Sequence, residues 1–206
     1  LIESCAEVAG KEAISYRLEH LDDPRAVAVI ETVRDMARLQ PATDGIGFGL
    51  GYARYKNSAG YLACIARVVV EDEVRVTDVW SAGDVGEAIN PDGTINQIEG
   101  GIVQAISWAL KEEVHFSGGQ NLTQSWADYP ILKFSEVPRM VTKLIGPQDA
   151  GPLGAGEISS GPAGAAVVNA VRNALGVVPH RLPLSRHALV AMMSYTPVTP
   201  KPEDFV

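Results

Sequence analysis

Apolar residues recur at helical spacing in several stretches of the chain and at strand spacing in others. Val27, Ile30, Val33 and Ala37 form one stripe, with Glu31, Arg34, Asp35 and Arg38 opposite. Asp23 followed by Pro24 supplies an N-cap and a proline at the first helical position. The two signals predict a helix from residue 24, stopped by Pro41. Residues 3–9 and 12–20 read as two short helices parted by Gly10. Ile95, Ile98, Ile102, Ile106 and Ala109 predict a long helix over 94–112. Ser160 is placed to cap another from 161 to about 175, with Pro162 in its first turn and Gly176 just past its end. Ser185 caps a last short helix to Met193.

Strand signals fill the remainder. Residues 45–55 alternate glycine with larger side chains, and 61–70 and 74–82 are β-branched and apolar. The acidic link Glu71-Asp72-Glu73 predicts an antiparallel hairpin between the last two. A weak hairpin is expected over 113–125 around Gly118-Gly119, and a further strand over 136–145. Loops are expected from Gly83 to Gly93, closed by the turn signal Asn90-Pro91-Asp92-Gly93, and over 146–158, which is rich in Gly and Pro. Strand runs with isolated helices between them, and no repeats, give an α+β class: a mixed sheet with antiparallel hairpins packed against several helices. The expected division is a helical segment over 1–40, the α+β domain over 41–193 and a loose Pro-rich tail over 194–206.

Composition narrows the function classes. The chain has 206 residues, 46% apolar and 20% charged, enough to bury a core without disulfide or metal staples. A net charge of −8 with scattered basic residues excludes a nucleic-acid binder, which needs clustered Lys and Arg. No apolar stretch approaches the roughly 18–20 residues of a membrane span. There is no signal peptide, and the expected compartment is the cytoplasm. The periplasm stays open, because the chain starts at Leu1 inside a helix and its true N-terminus is expected upstream. Cys5 and Cys64 are too few for an iron–sulfur cluster and read as small buried hydrophobes. His20, His115, His180 and His187 follow no ligand pattern, so no protein-ligated metal site is expected.

Three places are candidates for chemistry. Gly45, Gly47, Gly49 and Gly51 strip one strand face of side chains. Either protein packs closely there, or a cofactor or substrate lies flat on it. The spacing is not the GxGxxG of a dinucleotide fold. On the long helix, Gln97, Gly100, Gly101 and Gln104 stand at i, i+3, i+4 and i+7 and share one face. That face is bare in its middle with an amide at each end, suited to a planar polar ligand or to tight helix packing. Third, Gly154-Ala155-Gly156-Glu157 ends a small-residue loop at a helix N-terminus. A carboxylate deprived of water there is a stronger base, though the helix dipole opposes the effect. The alternative is an exposed Glu, electrostatically content beside the helix. A nucleotide-binding reading of the same helix N-terminus fails for want of a P-loop lysine.

Taken together, five stretches resemble the molybdenum-binding subunit of the xanthine dehydrogenase and aldehyde oxidase family. The nearest branch is that of isoquinoline 1-oxidoreductase and nicotinate dehydrogenase. They are Ala82-Gly83-Asp84-Val85-Gly86 through Asn90-Pro91; Gln97-Ile98-Glu99-Gly100-Gly101-Ile102-Val103-Gln104; Asp128-Tyr129-Pro130-Ile131-Leu132; Gly154-Ala155-Gly156-Glu157; and Ala166-Val167-Val168-Asn169-Ala170. The resemblance spans residues 3 to 193 and implies a C-terminal molybdopterin-binding domain. It implies that Glu157 is the catalytic base of a hydroxylase that oxidises an N-heterocycle or aldehyde with water as the oxygen source. It also implies that Gln97 hydrogen-bonds the pterin, with Gly100, Gly101, Gln104 and the loop Gly154, Ala155 and Gly156 as neighbours. The implied cofactor is the molybdenum cofactor, as molybdopterin or its cytosine dinucleotide. Its metal is held by the pterin's dithiolene and not by protein side chains, with no iron–sulfur cluster or FAD in this chain. The implied partners are the remainder of the molybdenum subunit and a small [2Fe-2S] subunit.

Two departures from the family pattern stand out. A full molybdenum subunit is far longer, so the chain reads as its C-terminal piece. Proline often follows the family's catalytic Glu closely, whereas Ile158-Ser159-Ser160-Gly161 intervene here before Pro162. The competing function class is a catalytically silent structural module that needs a partner chain to complete the site.

Overall fold

The computed structural model describes residues 1–39, 41 and 43–194. Its frame is a four-stranded sheet in the order β1-β2-β3-β6, built from β1 (Ile46–Arg54), β2 (Tyr61–Val70), β3 (Val74–Asp84) and β6 (Arg139–Leu144). β1, β2 and β3 form antiparallel pairs, and β6 joins β3 in parallel. A minimal hairpin, β4 (Phe116–Ser117) and β5 (Gln120–Asn121), turns at Gly118-Gly119, both with positive φ. The α+β class and the mixed sheet agree with the sequence reading. The expected tail beyond Ser194 lies outside the described residues.

Helices cover both sheet faces; α1 (Ile2–Val8) packs on α2 (Ala13–Glu19), and α2 on α3 (Pro24–Ala37). α3 lies against β2 and β3 and buries Ala26, Val29, Ile30, Val33 and Ala37 with Leu50, Tyr61, Ala63 and Ile65. The buried edge of its stripe is Ala26 and Val29; Val27 is only half-buried. The small Ala26 lets the helix sit close to the sheet. Asp23 caps α3 as expected, its Oδ1 accepting from Arg25 N at 3.0 Å. On the other face lie α4 (Pro91–Leu110) and α5 (Ser160–Leu175), with α6 (Arg186–Ser194) at the margin. Ile98, Ile102 and Ile106 of α4 meet Val167, Ala170 and Val171 of α5 and Leu62, Cys64 and Val68 of β2 in the larger core. Cys64 is fully buried, which pushes its thiol up, while Cys5 is half-buried.

Two helix starts differ from the sequence reading. α4 begins at Pro91, not residue 94, because Asn90 is a cap: its Oδ1 accepts from Gly93 N at 3.0 Å. What reads as a turn is therefore the first turn of the helix. α5 begins at Ser160, and its N-cap is Ser159, whose hydroxyl makes no capping bond. That hydroxyl points instead at Gly101 of α4.

Candidate active site

The alternating glycines of β1 resolve into helix packing. A Cβ at Gly49 would lie 2.1 Å from Ala170 N and 2.4 Å from Ala166 O, and one at Gly51 would lie 1.9 Å from Pro162 O. No side chain fits at those distances, so α5 rests directly on the backbone of β1. Asn169 and Asn173 of α5 complete the seam. Asn169 Nδ2 donates to Leu50 O at 2.8 Å, and Phe48 N donates to Asn173 Oδ1 at 3.1 Å. This seam fixes where α5 starts, and so where Glu157 stands.

A second frame holds the loop before α5. Gly86 has φ +66°, and a Cβ on it would lie 2.2 Å from Gly151 O. The loops after β3 and β6 zip together around it: Ile145 N donates to Gly83 O at 3.0 Å, Leu153 N to Val85 O at 2.7 Å and Glu87 N to Ala150 O at 3.0 Å. Asp84 braces the turn. Its buried carboxylate takes two bonds from Arg25 of α3, at 2.5 and 2.6 Å, and one from Gly86 N at 3.0 Å. Burial works to raise the Asp84 carboxyl, but the bonds from Arg25 and Gly86 outweigh it and hold it below its ordinary value.

On this frame the loop of residues 154–157 is gripped from two sides. Gln97 Nε2 on α4 donates to Gly156 O at 2.9 Å. Tyr55, in the single turn between β1 and β2, donates its hydroxyl to Glu157 Oε2. That bond raises the phenol above its ordinary value, because ionising Tyr55 would break it and set two anions together. Gly60 closes the same turn against the loop: a Cβ there would lie 2.9 Å from Gly154 O. Glu157 is exposed; of the two readings of this loop, the solvated carboxylate holds and not the dehydrated one. The loop's apolar anchor is the next residue, Ile158, 2% exposed, and Glu157 faces outward as Ile158 faces in.

The expected glycine face on α4 divides. Gly100 is open, and a Cβ there would meet nothing within 4 Å. Gly101 is filled by protein, since a Cβ would lie 2.2 Å from Ser159 Oγ. Of the two readings of this face, tight packing holds at Gly101. The Ser159 hydroxyl is buried without a hydrogen-bond partner. Gln104, further along α4, is exposed. Gln97 spends one N–H on Gly156, leaving a second N–H and its carbonyl oxygen for another partner. Beside it opens a groove of about 310 Å³ lined by Val85, Asn90, Thr94, Gln97, Gly154 and Ala155. A Cβ at Gly154 or at Gly156 would likewise meet nothing within 4 Å. Among the described residues no group of three His, Cys, Asp or Glu side chains is placed to hold a metal ion, and no helix is long and apolar enough to cross a membrane. Tyr55 is a site residue the sequence reading missed, and Ser159 is the packing residue it missed behind Gly101.

A helix-flanked mixed sheet that presents an open amide-and-glycine groove next to an exposed carboxylate defines a ligand-binding domain of α+β type. The chain belongs to the molybdopterin cofactor-binding domain family, whose model matches residues 20–138, more than half of its length. It is 35% identical to a component of the nicotinate dehydrogenase of Pseudomonas putida and 34% identical to the beta chain of isoquinoline 1-oxidoreductase from Brevundimonas diminuta, each over 93% of this chain. It spans 18% and 25% of those relatives' own lengths. Among solved structures, quinoline 2-oxidoreductase from Pseudomonas putida 86 is 34% identical, with a TM-score of 0.60 over 67% of this chain and 19% of that one. The aldehyde oxidoreductase from Desulfovibrio gigas, 23% identical with a TM-score of 0.59, shares the fold.

Proposed function

We propose that this chain forms the C-terminal part of a molybdenum hydroxylase catalytic subunit and contributes both a cofactor wall and the catalytic base. The observation that carries the reading is that Gln97 of α4 grips the backbone of the braced loop that carries Glu157, with an open groove beside Gln97. The residues fit a planar polar group at Gln97, Gly100 and the loop of residues 154–156, where donors and acceptors stand free and a Cβ would meet nothing; they do not fit one at Gly101. When bound, the molybdenum cofactor, as molybdopterin or its cytosine dinucleotide, supplies the two-electron redox chemistry and the metal.

The chain's own residues then divide the work. Gln97 hydrogen-bonds the cofactor with its remaining amide groups while its third contact fixes the loop. Glu157 accepts a proton at its carboxylate as water-derived oxygen enters the substrate, and later returns that proton to solvent. Substrates are N-heterocycles or aldehydes, as the names of the relatives suggest. The partners are the remainder of the molybdenum subunit and a small [2Fe-2S] subunit. Isolated, the chain has one wall of the site and no turnover. The test is metal and pterin analysis of the chain expressed with the rest of the molybdenum polypeptide, followed by turnover assays on nicotinate, quinoline, isoquinoline and benzaldehyde. Stoichiometric molybdenum and pterin with Gln97 intact, and clear loss of both in Gln97→Ala, support it. Full cofactor loading in Gln97→Ala refutes the assignment of Gln97.

A further inference from the structure

Glu157 is exposed, so nothing in the packing of its own loop sets its side-chain angles. An exposed Glu has three free torsions, and ordering such a side chain costs rotamer entropy. A base that must meet a fixed reacting atom needs that freedom removed beforehand. Gln97 does not supply this, because it holds the backbone carbonyl of Gly156 and leaves the carboxylate untouched. Tyr55 is the residue that reaches the carboxylate itself.

The local structure is built to place that hydroxyl. β1 and β2 could be joined by a tight two-residue turn, but here they are joined by a turn that carries two non-glycine residues in the left-handed region, Lys56 at φ +51° and Asn57 at φ +56°. The turn is closed by Tyr55 N donating to Gly60 O and Ala59 N donating to Tyr55 O, both at 2.9 Å. The ring packs against the larger core, and the Lys56 ammonium sits 5.2 Å from its centroid. Gly60, which is buried, brings the whole turn within reach of Gly154. A strained turn held by buried contacts, with an aromatic whose one polar atom lands on Glu157, has the form of a support for that side chain.

We propose that Tyr55 is a positioning residue that holds the Glu157 carboxylate in its working orientation. The proposal rests on the reading of Glu157 as the base. Its action is directional, through one hydrogen bond to a charged acceptor, and it touches neither substrate nor cofactor.

Two readouts in the assembled molybdenum enzyme test it, with Tyr55→Phe and Glu157→Gln made side by side. The first needs no turnover: carbon-13 NMR of ring-labelled tyrosine, the residue 55 signal being the one that Tyr55→Phe removes. That signal is expected to titrate above the ordinary tyrosine range in the native protein and to fall back toward it in Glu157→Gln. The second is the split between kcat and KM on the best of the four substrates. Tyr55→Phe is expected to lower kcat about tenfold, or about 1.4 kcal/mol of barrier, with KM within about twofold and molybdenum content and melting temperature unchanged. A Tyr55 signal that titrates alike in native and Glu157→Gln protein overturns the proposal. So does an unchanged kcat in Tyr55→Phe when Glu157→Gln is inactive. Turnover in Glu157→Gln overturns the reading of the base instead, and the positioning role goes with it.

Discussion

Two sets of glycines in this molecule do opposite things. On β1, Gly47, Gly49 and Gly51 are absent side chains replaced by the backbone of α5, packed so closely that a methyl group has no room. At Gly100, Gly154 and Gly156 the missing side chain is replaced by nothing that belongs to the chain. Both sets look alike as sequence. What separates them is what a Cβ would touch. A glycine that faces protein reports a packing seam, and a glycine that faces open space leaves the backbone beside it accessible. Gly101 shows how sharply the boundary runs, since it neighbours Gly100 and belongs to the first set.

The widest separation is expected from one methyl group placed on each side. Gly49→Ala drives a carbon into the backbone of Ala166 and Ala170, which cannot yield without lifting α5, and stability falls by at least about 3 kcal/mol. Gly100→Ala adds a helix-favouring residue in open space and raises stability by about 0.5–1 kcal/mol. Urea unfolding midpoints of the two variants check the pair; similar midpoints would erase the distinction.

A smaller effect sharpens the account of the open side by loosening its backing. Asp84 is held charged in the folded state, with its folded value below the ordinary aspartate value near about 4. The stability it contributes is therefore complete above that ordinary value and is lost as pH falls through the lower folded one. Asp84→Asn removes that dependence and leaves Arg25, part-exposed, without its carboxylate. Stability at pH 7 is expected to fall by about 1–3 kcal/mol, discounted for solvent at Arg25. The slope of stability against pH in the acid range should be shallower than in the native protein. Equal slopes would show that Asp84 does not report the acid limb.

The smallest effect probes the boundary itself. Gly101→Ala meets only the tip of the Ser159 side chain and is expected to cost about 1 kcal/mol. Ser159→Ala removes a buried hydroxyl that has no partner and is expected to be neutral or stabilising. Combined, the two should be clearly less destabilised than their sum, because the alanine at 159 vacates the space. Strict additivity in thermal melts would mean that Gly101 and Ser159 do not meet.

The legible parts of this protein were those governed by period and capping. Isoleucine at every third or fourth position placed α4 and its buried face, and Asp23-Pro24 placed the start of α3. Asn90-Pro91 carried the same kind of signal yet reads as a turn, because Asn-Pro-Asp-Gly suits a turn as well as a cap and first turn; only the Asn90 bond to Gly93 distinguishes them. The alternating glycines of β1 announced a bare face but not its occupant. That depends on α5, more than a hundred residues away along the chain. Tyr55 and Ser159 were invisible for the same reason. A tyrosine in a hairpin turn and a serine near a helix start are ordinary residues until the fold sets one on Glu157 and the other on Gly101.

The most direct test of the central claim is Glu157→Gln in the assembled enzyme, with turnover, molybdenum content and melting temperature measured on the same preparation. Glutamine keeps the volume and hydrogen-bonding reach of glutamate but cannot serve as a carboxylate base. Turnover is expected to fall by at least about 10²–10⁴-fold, the usual contribution of a general base, while cofactor loading and melting temperature stay near native. Retained turnover with a lowered melting temperature would contradict the account and leave Glu157 a structural residue at the start of α5.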